Sequence, residues 1–303
     1  MVLRMIARVA CGAALPLVLA GAQGRPSTDI WMVTLEGPGV PHLGRAENLS
    51  SRLGYDNQPA FTPDGLAILY TAIDGNGPSD IWRIDLATHA RTNITRTAVE
   101  SEYSATPMPD GVHFSTVRVE ADSTQRLWRF ALRGDEAPVL LLERIKPVGY
   151  HVWVSDVTLG LYVLGAPLGT PGGAPATLQV ADVRIGTGEV VARDIGRALQ
   201  KIPGRAAISY VQNGKDGPWI TELDVRTGKS TPIAKAPEQS DYHLWTLDGV
   251  LLAGSGSRIL AWVNGTWNVA GDLAADGVRN ISRLAMSPRG DRLAFVAEDR
   301  AAP

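Results

Sequence analysis

Thr62-Pro63-Asp64-Gly65 and Ser79-Asp80-Ile81-Trp82 decide the fold of this chain, because the two motifs recur together at a fixed spacing. The tryptophan follows the proline by 19 residues here, and Trp128 follows Pro109 by the same 19 residues. Equal offsets at a repeat of about 45 residues predict stacked copies of one small β unit.

The turn position recurs six times along the chain. Proline fixes φ and glycine accepts a positive φ, so Pro-Asp-Gly between two apolar runs predicts a tight hairpin turn. Further apolar or alternating runs follow each turn and predict four strands per unit, which is the pattern of a β-propeller blade. The six positions, 41 to 48 residues apart, are Pro63, Pro109, Ser155, Pro203, Leu247 and Pro288.

The two ends of the chain complete each other. The N-terminal part has third and fourth strands, around Asp29 to Leu35 and Glu47 to Leu49, with no first pair before them. The C-terminal part has a first pair, Ser282 to Ser287 and Arg292 to Val296, with no third strand after it. Joining them closes the ring and removes exposed sheet edges. The sequence therefore predicts an all-β, six-bladed β-propeller with four-stranded blades.

The repeats resemble those of the TolB-like family, which occurs in bacterial exported proteins and in prolyl-oligopeptidase propellers. The resemblance is carried by Phe61-Thr62-Pro63-Asp64-Gly65, by Ser287-Pro288-Arg289-Gly290 and by the strands of Asp29 and Asp80. It covers almost the whole chain and weakens in the third and fourth units. We expect no counterpart of the N-terminal α/β domain of TolB or of the peptidases' hydrolase domain. The resemblance implies a propeller acting as a binding module in the cell envelope.

The first 22 residues have the pattern of a secretory signal peptide. Two arginines and no acid precede an apolar run from Val9 to Leu19, and Ala20-Gly21-Ala22 has the small-x-small form of a cleavage site. We expect cleavage after Ala22, with residues 23–303 forming one propeller domain in the periplasm or outside the cell. An uncleaved anchor is the alternative, although the apolar run is shorter than a membrane span of about 20 residues.

Composition limits the chemistry of the mature chain. Its single cysteine, Cys11, lies in the signal segment, which predicts no disulfide and no thiol chemistry afterwards. The 29 basic and 31 acidic residues form no long run of one sign. This disfavours nucleic acid or an anionic membrane as partner, and we expect no membrane span after signal cleavage. The sequence predicts no cofactor.

The loops that lead into the innermost strands are expected to gather at one mouth of the central channel. They are rich in Tyr, Asp, Glu, Asn and Arg, which suit a protein or peptide partner or a small polar ligand. The alternative is ordinary loop polarity. The predicted contact residues are Tyr55, Asp56, Asn57, Gln58, Glu102, Tyr103, Tyr150, Asp241, Tyr242 and Arg283.

Two innermost strands share a motif, Tyr150-His151-Val152-Trp153 and Tyr242-His243-Leu244-Trp245. Matched histidines suggest metal binding or acid–base chemistry. Across the blades, however, the histidine register is largely apolar, so we predict that the histidines are hydrogen-bonded wall residues. The opposite register is predicted to line the channel: Gln58, Ser104, Tyr150, Ala198, Tyr242 and Arg283, then Ala60, Thr106, Val152, Gln200, Leu244 and Ala285.

Two function classes remain open from the sequence. The first is an exported, non-catalytic protein- or ligand-binding scaffold of the bacterial envelope. The second is an extracytoplasmic metal-dependent hydrolase or lyase, whose ligands would be Asp56, Glu102, His151 and His243. A serine nucleophile is disfavoured, because Gly254 to Ser257 is predicted to form a hairpin turn and no Gly-x-Ser-x-Gly elbow occurs.

Overall fold

The computed structural model describes residues 27–167, 170–238, 240 and 242–298. The predicted signal peptide and Asp241 lie outside these residues. The first half of the described chain contains β1 (Thr28–Glu36), β2 (His42–Leu43), β3 (Glu47–Asn48), β4 (Asp56–Phe61), β5 (Ala67–Ile73), β6 (Ser79–Asp85), β7 (Arg91–Asn93), β8 (Ser101–Pro107), β9 (His113–Val119), β10 (Gln125–Ala131), β11 (Val139–Leu142), β12 (Val148–Trp153) and β13 (Thr158–Val163).

The second half continues with β14 (Thr177–Asp182), β15 (Thr187–Arg193), β16 (Ile195–Lys201), β17 (Ala207–Gln212), β18 (Trp219–Asp224), β19 (Ser230–Lys235), β20 (His243–Trp245), β21 (Leu251–Ser255), β22 (Arg258–Val263), β23 (Thr266–Asp272), β24 (Ser282–Met286) and β25 (Arg292–Glu298). A short 3-10 turn, Ala274–Asp276, precedes β24. In the described part of the chain, no helix has the length and hydropathy of a membrane span.

Consecutive strands form five antiparallel four-stranded sheets. We number them blades 1 to 5: β4–β7, β8–β11, β12–β15, β16–β19 and β20–β23. A sixth sheet, the closing blade, has the order β24, β25, β1, β2, and β3 also pairs with β1. The prediction of a six-bladed propeller is confirmed.

The closing blade joins the two ends of the described chain. Strand β1 pairs with β25 over seven residues, from Thr28 opposite Glu298 to Thr34 opposite Arg292. Ile30 and Val33 of β1 are buried on its two sides, and they pack in different core clusters. The predicted closure by the N-terminal strand is therefore confirmed.

The Pro-Asp-Gly turns owe their shape to side-chain bonds as well as to backbone preference. Asp64 Oδ1 accepts hydrogen bonds from Thr62 Oγ1 at 2.6 Å and from Leu66 N at 2.9 Å. Gly65 has φ +70°, in the left-handed region that glycine adopts without a Cβ clash. The short turn connects the innermost strand, β4, directly to the buried second strand, β5.

The aspartate of Asp-Ile-Trp has a structural partner set that explains why the motif recurs. Asp80 accepts hydrogen bonds from Asn93 Nδ2 at 2.8 Å and from Thr95 Oγ1 at 2.8 Å. Asp29 has the same arrangement with Asn48 Nδ2, at 2.6 Å, and Ser50 Oγ, at 2.8 Å. Each carboxylate thus fastens the outer edge of its blade, where the backbone ladder is short.

Candidate functional site

The six innermost strands enclose a central cavity of about 390 Å³. All twelve residues that the strand register predicted for the channel wall line this cavity. The opposite register is buried in every blade, as predicted: Pro59, Ala105, His151, Leu199, His243 and Leu284. Five of these six residues, all except His243, also border the cavity, so the two registers are separated only in part.

One half of the cavity mouth is aromatic and basic. Arg283 of the closing blade crosses the channel to Tyr150 of blade 3, which lies opposite in a ring of six blades. Its Nη2 donates a hydrogen bond of 2.9 Å to Tyr150 Oη. The guanidinium carbon lies 4.2 Å from the ring centroid of Tyr242 and 4.8 Å from that of Tyr150. These distances are typical of cation–π contacts, so the two rings hold the arginine in place.

Arg197 of blade 4 joins this cluster, although sequence reasoning did not select it as a contact residue. Burial works against its charge, but interactions with Tyr150, Tyr242 and Tyr162 prevail and raise the pKa of Arg197 above its ordinary value. Tyr162 stands edge-on to Tyr150, with ring centroids 5.6 Å apart. A Cβ at Gly149 would lie 2.9 Å from the Tyr162 ring, so glycine makes room for this packing. The only available sequence signal was the position of Arg197 in a loop leading into an innermost strand.

The other half of the mouth is polar and uncharged. Gln58 Oε1 accepts hydrogen bonds from Thr71 Oγ1 at 2.8 Å and from Ser104 N at 2.9 Å, which links blades 1 and 2. Gln58 and Ser104 both have φ +57°, and Arg283 has φ +51°. Register shifts accompany all three, so a bulge at each turns the side chain toward the mouth. No periodicity rule predicts these bulges.

Asp56 and Asn57 lie in the blade wall and not on the cavity. Asp56 is fully buried, and Oδ1 accepts hydrogen bonds from Nε and Nη2 of Arg52. Burial raises the pKa of Asp56, and the interaction with Arg52 opposes the rise. Asn57 is also buried. These two predicted contact residues therefore stabilise the wall in the arrangement described.

Glu102 is the counterpart of Asp56 in blade 2. It is fully buried, and it accepts hydrogen bonds from Arg118 Nε at 2.8 Å and from Thr97 Oγ1 at 2.7 Å. Burial raises the pKa of Glu102, and the bonds to Arg118 and Thr97 oppose the rise. The guanidinium carbon of Arg118 also lies 5.0 Å from the ring centroid of Trp128. This carboxylate is enclosed by its partners.

The two histidines occupy matching networks between neighbouring blades. His151 Nε2 shares a 2.6 Å hydrogen bond with Ser115 Oγ, to which Trp153 Nε1 donates at 2.9 Å. His243 Nε2 shares a 2.8 Å bond with Ser209 Oγ, to which Trp245 Nε1 donates at 2.8 Å. The prediction of hydrogen-bonded wall histidines is confirmed.

Burial lowers the pKa of His151 to about 3 and that of His243 to about 4, so both rings are neutral at neutral pH. Their Nδ1 atoms are buried without a hydrogen-bond partner among the described residues. Neutral rings of this kind tolerate an unpaired nitrogen far better than a charged ring would.

Tyr55 and Tyr103 are not among the residues that line the cavity. Tyr55 forms a bridge with Thr28, and its carbonyl accepts a hydrogen bond from Ile73 N at 3.1 Å. The carbonyl of Tyr103 accepts from Thr116 Oγ1 at 2.6 Å. Asp241 lies outside the described residues.

The four side chains of the alternative metal site do not converge. Asp56 and Glu102 bind arginines in their own blades, and His151 and His243 bind serines at two other blade interfaces. Among residues 27–167, 170–238, 240 and 242–298, no group of three or more His, Cys, Asp or Glu side chains could hold a metal ion.

The sequence matches no protein-family model and no curated protein. Solved structures do resemble it in fold. The putative TolB from Agrobacterium tumefaciens has a TM-score of 0.66 at 13% identity, with 92% of this chain and 100% of that chain covered. A gluconolactonase from Xanthomonas campestris has a TM-score of 0.62 at 12% identity, covering 91% and 99%.

An oligogalacturonate lyase in complex with manganese has a TM-score of 0.55 at 15% identity, covering 84% of this chain and 80% of that chain. A TolB protein and two enzymes thus share this architecture, and identities at this level establish the fold alone. The chain has the fold of the TolB-like six-bladed β-propellers.

Proposed function

We propose that this protein is an exported, non-catalytic binding module of the bacterial cell envelope, and that it binds a protein or peptide partner at the channel mouth. The observation that carries the proposal is the cluster of Arg197, Arg283, Tyr150 and Tyr242 on the cavity. Tyrosine and arginine are enriched at the energetically dominant positions of protein interfaces. Because the strands and the cation–π contacts already fix these side chains, binding loses little conformational entropy.

The envelope location is part of the same proposal. It is supported by the signal-peptide pattern of residues 1–22 and by the absence of cysteine after that segment. The TolB-like fold is compatible with it.

Affinity capture with matched variants tests the proposal. The purified protein, without residues 1–22, captures partners from an envelope fraction of the organism that encodes it. We expect Tyr242→Ala and Arg283→Ala to lose a captured partner that the unmodified protein retains. Val190→Ala, at an exposed position on β15, is the surface control. Glu102 is avoided, because removing a buried ion-pair partner would destabilise the fold.

An unchanged set of captured proteins in both mouth variants would show that this mouth is not the contact face. The metal-dependent hydrolase or lyase is separated by elemental analysis of the purified protein. A stoichiometric divalent ion that is lost in His243→Ala would favour the enzyme, and the similar fold of the manganese-bound lyase makes this measurement worthwhile.

A further inference from the structure

The cavity has a charge opposite to that of the whole chain. The formal net charge of the sequence is −2, yet the cavity wall contains Arg197, Lys201 and Arg283 and no aspartate or glutamate among its described residues. A concave site lined by one sign of charge concentrates ions of the other sign.

The two mouth arginines resemble Arg91, which contacts Tyr70 and Trp82, and differ from three other arginines of the blades. Arg52, Arg118 and Arg126 are each paired with a carboxylate at short distance. Within the described residues, neither Arg197 nor Arg283 has a carboxylate within ion-pair distance, and their neighbours are tyrosines. A partly desolvated guanidinium is more favourable when an anion accompanies it.

Unused hydrogen-bond capacity at the mouth consists of donors. A guanidinium carries five N–H donors, and the only protein acceptor of Arg283 among the described residues is Tyr150 Oη. Gln58 Oε1 accepts both of its hydrogen bonds from Thr71 and Ser104. The Gln58 amide nitrogen donates no hydrogen bond to another described residue. The Ser104 hydroxyl is buried and has no partner among the described residues. Gln58, Ser104 and Arg283 all border the same cavity.

From these observations we propose that the channel mouth binds a carboxylate, seated between Arg197 and Arg283 and against the rings of Tyr150 and Tyr242. A carboxylate supplies only acceptors, which matches a ring of donors, and its planar geometry suits a guanidinium fork. The aromatic walls favour a carboxylate attached to a flat or apolar body. A cavity of about 390 Å³ has room for a small organic acid or for one acidic residue of a partner.

This inference rests on the proposed function, because it names the chemical group recognised at the same mouth. The shared chemistry has two sources, a free organic acid and an acidic residue of a bound partner. The arginines require a negative charge on the ligand. The tyrosine rings can pack against many different groups that carry the carboxylate. The sources are therefore separated by experiment.

Benzoate and benzamide are the probes of the first experiment, since they share size and shape and differ in charge. The two compounds are titrated to about 50 mM into the full mature protein, with tyrosine and arginine side-chain signals followed by NMR. We expect saturable shifts with benzoate, at least tenfold weaker binding of benzamide, and weaker benzoate binding at higher salt. Acetate is run in parallel as a carboxylate without the aromatic body.

Matched variants locate the site. Arg283→Ala and Arg197→Ala are each expected to weaken benzoate binding at least tenfold, with Arg283→Lys intermediate because it retains charge without the planar fork. Arg205→Ala, at an exposed ion pair whose residues do not line the cavity, should bind as the unmodified protein does. Circular dichroism confirms that each variant is folded. Overturning outcomes are no saturable shift with either acid, equal binding of benzamide, or affinity unchanged in both mouth variants.

A second arm separates the two sources. A captured partner is eluted with benzoate or with benzamide at the same concentration. Elution by benzoate alone identifies an acidic residue of the partner as occupant, whereas saturable benzoate binding without elution identifies a free organic acid. If the mouth variants lose the partner but no acid binds or elutes it, the carboxylate inference fails and the binding function stands. If acids bind at the mouth but the mouth variants still capture the partner, the proposal of protein binding at the mouth fails and the carboxylate site stands.

Discussion

Blades 1 and 2 bury a carboxylate at the start of the innermost strand, whereas blades 3 and 5 bury an imidazole three residues further along. Asp56 and Glu102 are enclosed with arginines, while His151 and His243 are neutral and bound to serines. Polar residues are therefore buried in the blade wall in two ways. The carboxylates form ion pairs with arginines, and the histidines are in their neutral form. The two carboxylates bind arginines of their own blades and the two histidines are neutral, so none of the four provides a counter-charge to Arg197 or Arg283 at the mouth.

Removing one of the buried carboxylates should lower the unfolding free energy more than any other change proposed here. In Glu102→Ala, the largely buried Arg118 keeps its charge and loses its partner. We expect a loss of about 3–5 kcal/mol of unfolding free energy, measured by urea denaturation. Glu222→Ala, which removes the partner of exposed Arg205, should cost no more than about 1 kcal/mol. Equal losses in the two variants would contradict the account of Glu102.

Removing the serine partner of a histidine should lower the unfolding free energy less than Glu102→Ala does, because no unpaired charge is left buried. Ser115→Ala and Ser209→Ala each deprive a tryptophan Nε1–H and a histidine nitrogen of their shared partner. We expect losses of about 1–3 kcal/mol in urea denaturation. The two losses should be similar, since the networks have the same geometry. A loss in one variant only would show that the blade interfaces are not equivalent.

The histidines also predict the direction of the pH dependence. Their pKa values are lowered in the folded state, to about 3 and about 4, so the unfolded chain binds more protons below the ordinary histidine value. Their contribution to stability is therefore full above about pH 6.5 and is lost as the pH falls toward the folded values. The slope is at most about 1.4 kcal/mol per pH unit for each histidine.

Urea denaturation between pH 4.5 and 7 measures this slope. His151→Leu combined with His243→Leu should flatten it. His113 provides a control of opposite sign: burial works to lower its pKa, but hydrogen bonds to Asp110 and Glu136 prevail and raise it. Its contribution is present below the ordinary histidine value and is lost as the pH rises through the folded value. If the double substitution leaves the slope unchanged, His151 and His243 do not cause the pH dependence of the unfolding free energy.

The smallest effect is expected at the polar half of the mouth, and it has the opposite sign. Ser104 has φ +57° and a buried hydroxyl without a partner among the described residues, so Ser104→Gly relieves backbone strain and removes that hydroxyl. We expect a gain of up to about 1 kcal/mol in thermal or urea denaturation. Gln58→Gly, at the same φ, should destabilise because two hydrogen bonds are lost. Destabilisation by Ser104→Gly would indicate a structural role for its hydroxyl.

The fold and twelve residues of the channel wall were predictable from sequence. Blade count, ring closure and the burial of His151 and His243 in the wall follow from repeat spacing and period-two alternation, which are local properties of the chain. The roles of Asp56 and Glu102 were not predictable. Their positions in loops leading into the channel resembled those of contact residues, but burial and an arginine partner depend on how neighbouring strands pack.

The sequence by itself determined a closed six-bladed ring, because turn chemistry and alternation fix each blade and unpaired terminal strands must join to remove their edges. Only the tertiary structure decided which polar residues face the cavity. Bulges lie at Gln58, Ser104 and Arg283. The crossing of Arg283 to Tyr150 of the opposite blade joins residues 133 positions apart. Pairing of charges is set by distance in space, which strand periodicity does not encode.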